Sequence, residues 1–387
     1  MMRNAPLTKF VALLFAPLLL FAGSTHYISI ADLGILGSPN AICMHNNSVY
    51  IFGFENSSGV PRAFAIFINL SSNSIVKTVK GFVGGYYNCL VHGDKIYVVG
   101  SAKNGNTFSW ALTVFSLGLE IEKIVIENLS NGLDVALDLA INNNSIYIAG
   151  IVNKSGDSFI RVEKRSLDTL AVESIYIAHV ETGYGVVPRI GMLKDGVVIA
   201  YTNPFRGGVL IDYLDGGLHL TNSVLVKLGG YLYTIATENN CIYLGGSFGL
   251  AKVCNHMLKG FAYMHGGEVM DIKSLDTGIL LLALTPVKID GVEADVYILT
   301  KDLNELERKS LDGLFKHLLY IKPLEVNDNN YLIALSSIQG LWAFHKISIP
   351  KVEQKPREGF ICNATIFMTV PYILAILAIL FAILEIW

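Results

Sequence analysis

The stretch DKIYVVGSAKNG, residues 94–105, is a short apolar strand followed by a glycine and a polar turn. Copies of its apolar phrase recur along the chain, at Val49 (VYIFG), Ile146 (IYIAG), Val197 (VVIAY), Ile242 (IYLGG), Ile279 (ILLLA) and Tyr331 (YLIAL). With Ile96 included, the seven starts are separated by 47, 50, 51, 45, 37 and 52 residues. Recurrence at a period of this size indicates a repeat architecture. The phrase is expected to mark core packing, with its glycine ending the strand.

Each repeat predicts four β-strands. In the second copy, β-rich runs occupy residues 86–92, 96–100, 108–115 and 120–126, with Gly, Asn and Asp between them. No part of this central region has a sustained apolar period of about 3.6 residues, so helices are not expected there. Four antiparallel strands in a repeat of this length are typical of a propeller blade.

The seventh repeat lacks a fourth strand of its own. Its runs at 318–324, 331–336 and 341–349 supply three strands, while the segment 26–30 (HYISI) belongs to no repeat. Because an open propeller would leave edge strands unpaired, we expect residues 26–30 to form the outer strand of the seventh blade. The sequence therefore predicts an all-β, seven-bladed β-propeller of four-stranded blades over residues 25–350.

The N-terminus has the layout of a secretory signal peptide. Basic Arg3 and Lys9 flank the start of an apolar run from Phe10 to Ala22, and small residues follow as far as Ser24. The run has 13 residues, which is short for a membrane span, so cleavage is favoured over a retained anchor. We predict a signal peptide at residues 1–24.

The C-terminus predicts a transmembrane anchor. Residues 364–384 carry no charge over 21 positions, and as a helix they would extend about 31 Å, roughly one hydrocarbon core. A buried core helix would have no packing partner in a β fold, and a lipid-anchor signal would need a polar spacer that is missing. We predict a polar linker at 351–360 and a transmembrane helix within 361–387. This makes the chain a single-pass protein of the cell surface, with its propeller outside the cytoplasm.

The net charge and the glycosylation motifs of the sequence indicate which kinds of partner the protein can bind. A net charge of −3 gives no electrostatic basis for binding nucleic acid. Asn-x-Ser/Thr motifs predict glycosylation at Asn46, Asn56, Asn69, Asn128, Asn143, Asn153 and Asn363, the alternative being Asn-rich turns. Six of the seven lie in blades one to three. A protein or carbohydrate partner is therefore expected on blades four to seven, where glycans would not block close approach.

The cysteines predict one disulfide. Cys241 and Cys254 flank the hairpin CIYLGGSFGLAKVC, and pairing about Ser247 and Phe248 places them opposite each other, whereas the alternative is two separate buried thiols. Cys43 and Cys89 are expected to be small core residues, and Cys362 is left over at the membrane edge.

Glycine pairs precede several inner strands. They occur at Gly84-Gly85, Gly183 with Gly185, Gly229-Gly230 and Gly266-Gly267. Together with the following IYxxG, and most closely in KLGGYLYTIATENNCIYLGG (227–246), they resemble the seven-bladed β-propeller repeat family called SBBP repeats. The resemblance implies a secreted or surface protein that binds or scaffolds. An archaeal source would place it in the cell envelope.

The entries into the inner strands predict a ligand-binding rim at the central funnel. Its residues would be Tyr86, Tyr87, Tyr184, Arg189, Tyr231 and Glu268. Tyrosine suits this position because its apolar ring and polar tip contact sugars or protein loops. The alternative is that these tyrosines fill gaps between blades.

Catalytic and metal-binding motifs are weak. Gly245-Gly246-Ser247-Phe248-Gly249 spells a nucleophile elbow, but a hairpin turn rather than a helix follows. Glu268 and Asp271 are the best-placed carboxylate pair, and the acidic turn 325–330 lacks the spacing of a calcium loop. We expect no cofactor, no metal and no catalytic residue. The function predicted is a membrane-anchored binding or scaffolding module of the cell surface, and the alternative is a surface carbohydrate-active enzyme (glycosidase or lyase) with carboxylates in the funnel.

Overall fold

The described part of the chain consists of 27 β-strands joined by short turns. A computed structural model describes residues 25–29, 37–56, 59–72, 74–142, 144–154, 156–180, 186–264, 267–275, 278–287, 291–311, 318–327, 330–337 and 341–348. The predicted signal peptide, linker and anchor lie outside these residues. Within them, no helix has the length and hydropathy of a membrane span.

The strands form antiparallel sheets in chain order. Sheet 1 contains β2 (Gly37–His45), β3 (Ser48–Glu55), β4 (Arg62–Asn69) and the first part of β5 (Ser74–His92). Sheet 2 contains the second part of β5, β6 (Lys95–Asn104), β7 (Thr107–Ser116) and β8 (Ile121–Glu127). Because β5 pairs with β4 up to Val83 and with β6 from Gly84, these two four-stranded sheets share one strand.

The remaining sheets repeat the same order. Sheet 3 contains β9 (Asp134–Asn142), β10 (Ser145–Lys154), β11 (Asp157–Ser166) and β12 (Val172–Val180). Sheet 4 contains β13 (Arg189–Leu193), β14 (Gly196–Asn203), β15 (Gly208–Asp215) and β16 (Leu220–Val226). Sheet 5 contains β17 (Leu232–Glu238), β18 (Cys241–Gly246), β19 (Gly249–Cys254) and β20 (Met257–Ala262). Sheet 6 contains β21 (Glu268–Ser274), β22 (Ile279–Val287), β23 (Gly291–Leu299) and β24 (Glu305–Ser310).

Sheet 7 joins the two ends of the described chain. It contains β25 (Leu318–Asn327), β26 (Asn330–Ser337), β27 (Leu341–Ser348) and β1 (Thr25–Ser29), with β1 outermost. Tyr27 pairs with Ala343, and Ser29 pairs with Leu341. The prediction that the segment after residue 24 supplies the missing outer strand is confirmed.

The first strands of the sheets contact one another in a ring. β2 contacts β5, and the contacts continue through β9, β13, β17, β21 and β25 back to β2. Apolar clusters fill the spaces between successive sheets from sheet 1 to sheet 6; one of them packs Tyr50 and Phe52 of sheet 1 against Ile96 and Phe115 of sheet 2. Burying each such side chain stabilises the fold by about 1.5–3 kcal/mol, so the sheets are held mainly by their apolar faces.

The repeated phrase forms the second strand of every sheet, namely β3, β6, β10, β14, β18, β22 and β26. In β6 the side chains from Ile96 to Ala102 are all buried. This confirms that the phrase marks core packing, because it lies between neighbours on both faces.

The glycine of the phrase does not end β3, β6 or β10, contrary to the expectation, whereas β18 does end at Gly246. β6 continues past Gly100 to Asn104. A Cβ on residue 100 would lie 2.1 Å from the carbonyl oxygen of Gly85 on β5. Corresponding close approaches occur at Gly53, Gly150 and Gly246, each opposite the residue that precedes a β-bulge in the inner strand. The glycine therefore makes room for a bulge rather than for a turn.

The disulfide prediction is confirmed. Cys241 and Cys254 are directly paired on β18 and β19, with their Cα atoms 4.2 Å apart, and they are disulfide-bonded. Cys43 and Cys89 are free and buried, as expected. Cys362 lies outside the described residues.

Candidate functional site

One position of the inner strands carries polar side chains around the ring. It is the residue that pairs with the fourth residue of the repeated phrase, as Asn88 does with Val99. The equivalent residues are Asp138, Arg189, Thr234, Asp271 and Lys322, while sheet 1 has Ala41 there. We call Asn88, Asp138, Arg189, Thr234, Asp271 and Lys322 the inner polar ring.

The inner polar ring encloses a cavity of about 270 Å³. The other lining residues are Asn40, Tyr87, Ile190, Tyr233, Ile235 and Met270, so each of the seven innermost strands contributes to the wall. Asn40, Tyr87, Tyr233 and Met270 are the extra residues of β-bulges. A bulge re-aims a side chain, and here it turns four additional residues toward the centre.

Hydrogen bonds from the ring connect neighbouring sheets. Asn88 Nδ2 donates to Asp138 Oδ1, and the backbone N–H of Ile190 donates to Asp138 Oδ2 at 3.0 Å. Thr234 Oγ1 donates to Asp271 Oδ1 at 2.9 Å. These contacts join sheets 2 to 3, 3 to 4 and 5 to 6.

The same side chains satisfy the backbone beside them. The N–H groups of Cys89, Leu139 and Ile272 donate to the side-chain oxygens of the residues that precede them, over 2.8–2.9 Å. Asn40 Nδ2 donates to the carbonyl of Tyr86 at 2.9 Å. The amide and carboxylate groups are therefore held in fixed orientations.

The cavity wall carries two acids and two bases. Burial raises the pKa of Asp138 above its ordinary value, against the opposing effects of Arg189, the Ile190 and Leu139 N–H groups, and Lys322. The Nε atom of Arg189 is buried without a hydrogen-bond acceptor among the described residues. In the described part of the chain, no group of three or more His, Cys, Asp or Glu side chains could hold a metal ion.

The predicted rim residues do not stay together. Tyr87 and Arg189 line the cavity. Tyr231 and Glu268 are exposed, Tyr231 by 57%, but neither lines the cavity. Tyr184 lies outside the described residues.

The placement of Tyr86 on the rim was wrong. Its side chain is 1% exposed and packs edge-on against Phe52 and Phe82 between sheets 1 and 2. Burial raises the pKa of Tyr86 to about 12. Successive strand residues point to opposite faces, and the bulge at Tyr87 sends that residue, rather than Tyr86, to the cavity.

The carboxylate pair named from the sequence is divided. Asp271 lines the cavity, whereas Glu268 is exposed outside it and hydrogen-bonds Tyr233, whose pKa is raised by burial and by this carboxylate. The motif around Ser247 forms the turn between β18 and β19, where Ser247 Oγ accepts a hydrogen bond from the N–H of Tyr231.

Sequence reasoning missed Asn88, Asp138, Thr234 and Lys322. A constant offset could have found the first three, because six of the seven residues at the ring position, Ala41 included, precede the start of the repeated phrase by eight positions. Lys322 precedes Tyr331 by nine positions and would still have been missed.

The asparagines of the predicted glycosylation motifs differ in their exposure to solvent. Asn46, Asn56 and Asn128 are exposed, while Asn69 and Asn153 are half-buried. The hydroxyl of Ser130, the third residue of the Asn128 motif, donates to buried Asp134 at 2.6 Å. Asn143 and Asn363 lie outside the described residues, and glycosylation stays a prediction.

Comparisons with known proteins support the architecture. No family model matches the chain, and no curated protein matches it. Among solved structures, a chain of the mitotic checkpoint complex aligns with a TM-score of 0.58 at 8% identity, covering 90% of this chain and 96% of that one. Sqt1 of Saccharomyces cerevisiae aligns with a TM-score of 0.52 at 9% identity, covering 84% and 98%. The computationally designed Ika8 protein aligns with a TM-score of 0.50 at 12% identity, covering 81% and 98%.

At these identities the likeness concerns the fold alone. The neighbours are propeller-like, and this chain shares their antiparallel four-stranded sheets. The class of protein is therefore an all-β, propeller-like one.

Proposed function

We propose that the seven sheets are the blades of a closed seven-bladed propeller that acts as a binding or scaffolding module, with its ligand in the central cavity. The observation that carries this proposal is the inner polar ring, because one register position places hydrogen-bonding side chains around one cavity. Concave sites with a few convergent polar groups are the usual form of small-molecule sites.

Binding is favoured over catalysis because the cavity's acids are engaged. Asp138 accepts from Asn88, Leu139 and Ile190, and Asp271 accepts from Thr234 and Ile272. A general acid or base must instead face the proton that it transfers. One observation favours the alternative of a glycosidase or lyase: Asp138, with its raised pKa, and Asp271 line the same cavity.

We further propose that the propeller lies outside the cytoplasm, secreted by residues 1–24 and anchored through residues 361–387. The Cys241–Cys254 disulfide supports this location, since such bonds persist in oxidising compartments. The resemblance to surface repeat proteins agrees with it. A protein or carbohydrate partner would then contact blades four to seven, because no Asn-x-Ser/Thr glycosylation motif occurs between Asn153 and Asn363.

To test the proposal, the full chain in detergent is incubated with neutral, acidic and amino monosaccharides and with their short oligomers. We expect the protein to retain at least one of these saccharide classes in equilibrium dialysis, and the saccharide to be recovered chemically unchanged. Turnover that disappears in Asp138→Asn or Asp271→Asn would instead establish the enzyme. A second experiment tests the partner on blades four to seven. Asn-x-Ser/Thr glycosylation motifs are introduced in exposed loops of sheets 5 and 6, and glycans that attach there should block binding of the partner.

A further inference from the structure

The cavity wall carries a positively charged side chain, Arg189, with a buried donor that lacks an acceptor among the described residues. Arg189 offers five N–H donors and no acceptor, and its Nε is the buried atom without a hydrogen-bond acceptor among the described residues. A buried donor without a partner destabilises the protein. A ligand acceptor at this point would remove that destabilisation.

Most of the side-chain acceptors on the wall already accept protein donors, and Asp271 does so through Oδ1. The two oxygens of Asp138 accept three protein donors, and Asn88 Oδ1 accepts the N–H of Cys89. Asn40 Oδ1 accepts from Ser38 Oγ at 3.1 Å. A ligand that brings only donors would therefore find few free acceptors, whereas a ligand that brings an anionic acceptor matches Arg189.

The rest of the wall suits a compact ring. Tyr87 and Tyr233 contribute aromatic side chains, and Ile190, Ile235 and Met270 add apolar surface. A volume of about 270 Å³ lies just below the range of about 300–1,000 Å³ that holds drug-sized ligands. The occupant should therefore be the size of a monosaccharide.

The geometry points to a monosaccharide-sized sugar acid, a hexuronate, whose carboxylate binds the guanidinium of Arg189 and whose ring lies between Tyr87 and Tyr233. This inference rests on the proposed function and names the ligand class of that cavity. Arginine binds carboxylates through two parallel N–H bonds, which makes Arg189 the residue that selects the acid. Lys322, on the same wall, adds a second positive charge.

The test is calorimetric titration of the detergent-solubilised full chain with glucuronate and with glucose, which differ at one carbon by a carboxylate. Charge-assisted hydrogen bonds stabilise by about 1.5–3 kcal/mol, so glucuronate should bind about 10- to 100-fold more tightly than glucose. Arg189→Gln should remove this preference, and Arg189→Lys should keep only part of it. The control is Arg62→Gln, which changes an exposed arginine of β4 that does not line the cavity. It should leave both affinities unchanged.

The outcomes are separable. Equal binding of glucose and glucuronate, or unchanged glucuronate binding by Arg189→Gln, overturns the inference but leaves the proposed binding function standing. Absence of glucuronate binding also overturns it, as does tighter binding of free glutamate, which would identify an acidic peptide. If Arg189→Gln does not fold, the two-sugar comparison and Arg189→Lys still decide. A glucuronate-terminated disaccharide that binds as well as the monosaccharide identifies a polysaccharide end as the source, and one that does not bind identifies the free sugar acid.

Discussion

Gly100 lies directly opposite Tyr86, at the point where the bulge at Tyr87 begins. A Cβ on residue 100 would lie 2.1 Å from the Gly85 carbonyl oxygen and 3.0 Å from the Cα of Tyr86. The glycine of this phrase therefore makes room for the bulge that turns Tyr87 into the cavity, whereas sheet 6 has Ala283 opposite its own bulge at Met270.

Gly100→Ala should destabilise the protein, because backbone atoms must move to admit the methyl group. Overpacking of this kind costs about 1–3 kcal/mol, which urea unfolding followed by circular dichroism would measure. The control is Gly118→Ala at an exposed turn, where a Cβ would meet only Ser116 Oγ at 3.6 Å. Equal stability of the two variants would show that the close approach is not required.

Asp138→Asn should change how stability depends on pH. Burial raises the folded-state pKa of Asp138 above the ordinary value of 3.8, so its contribution to stability is full below that value and is lost as the pH rises through the folded-state pKa. Because asparagine does not ionise, the stability of the variant does not fall with pH in this way. The variant does leave the N–H of Ile190 without a carboxylate acceptor, which costs about 1–3 kcal/mol.

The difference in unfolding free energy between the native chain and Asp138→Asn should therefore narrow as the pH rises. Asp195→Asn, at an exposed turn, is the control and should shift stability by less than about 0.5 kcal/mol. A difference that widens with pH would mean that Arg189 and Lys322, rather than burial, dominate the ionisation of Asp138.

Reduction of the Cys241–Cys254 bond should lower stability. For a closed loop of this length the bond stabilises by about 3 kcal/mol, so the thermal midpoint should fall when reductant is added. The double variant Cys241→Ser with Cys254→Ser should have the lower midpoint from the outset and should not respond to reductant. A response that persists in the double variant would assign the effect to another thiol.

Removal of residues 25–29 should leave sheet 7 without its outer strand. β27 would then lose its pairing with β1 and become an exposed edge, and exposed edge strands promote association between chains. We expect a lower unfolding midpoint together with larger particles in light scattering. A shortened chain that stays monodisperse and equally stable would show that β1 is dispensable.

The fold could be predicted because its signal is carried by buried strands. The phrase at Ile96 and its copies recur because the second strands of sheets 1 to 5 are buried along their length. The strands were predicted too short, as at Gly100, because a glycine inside a strand looks like a strand end when the opposite bulge is not visible.

The site was only partly predictable because the β-bulges of the inner strands are not visible in the sequence. A bulge adds one residue and reverses which neighbour faces the centre, so the Gly-Tyr-Tyr entry gave Tyr87 correctly and Tyr86 incorrectly. Arg189 was found, but its missing acceptor depends on which oxygens its neighbours already bind, and only the three-dimensional arrangement shows that. The polar residues of the ring, which lie eight positions before the phrase in five repeats and nine before it in the seventh, formed no recognisable motif beyond that spacing.

The central claim is that the cavity within the inner polar ring is the binding site. Met270 lines that cavity from a bulge, and Met257 lies 55% exposed on the outer strand of sheet 5. The decisive measurement is equilibrium dialysis of the retained saccharide with Met270→Trp and with Met257→Trp. The account predicts that Met270→Trp, which fills the cavity, loses at least about tenfold in affinity, equivalent to about 1.4 kcal/mol, while Met257→Trp binds like the native chain. Unchanged binding by a folded Met270→Trp variant would contradict it.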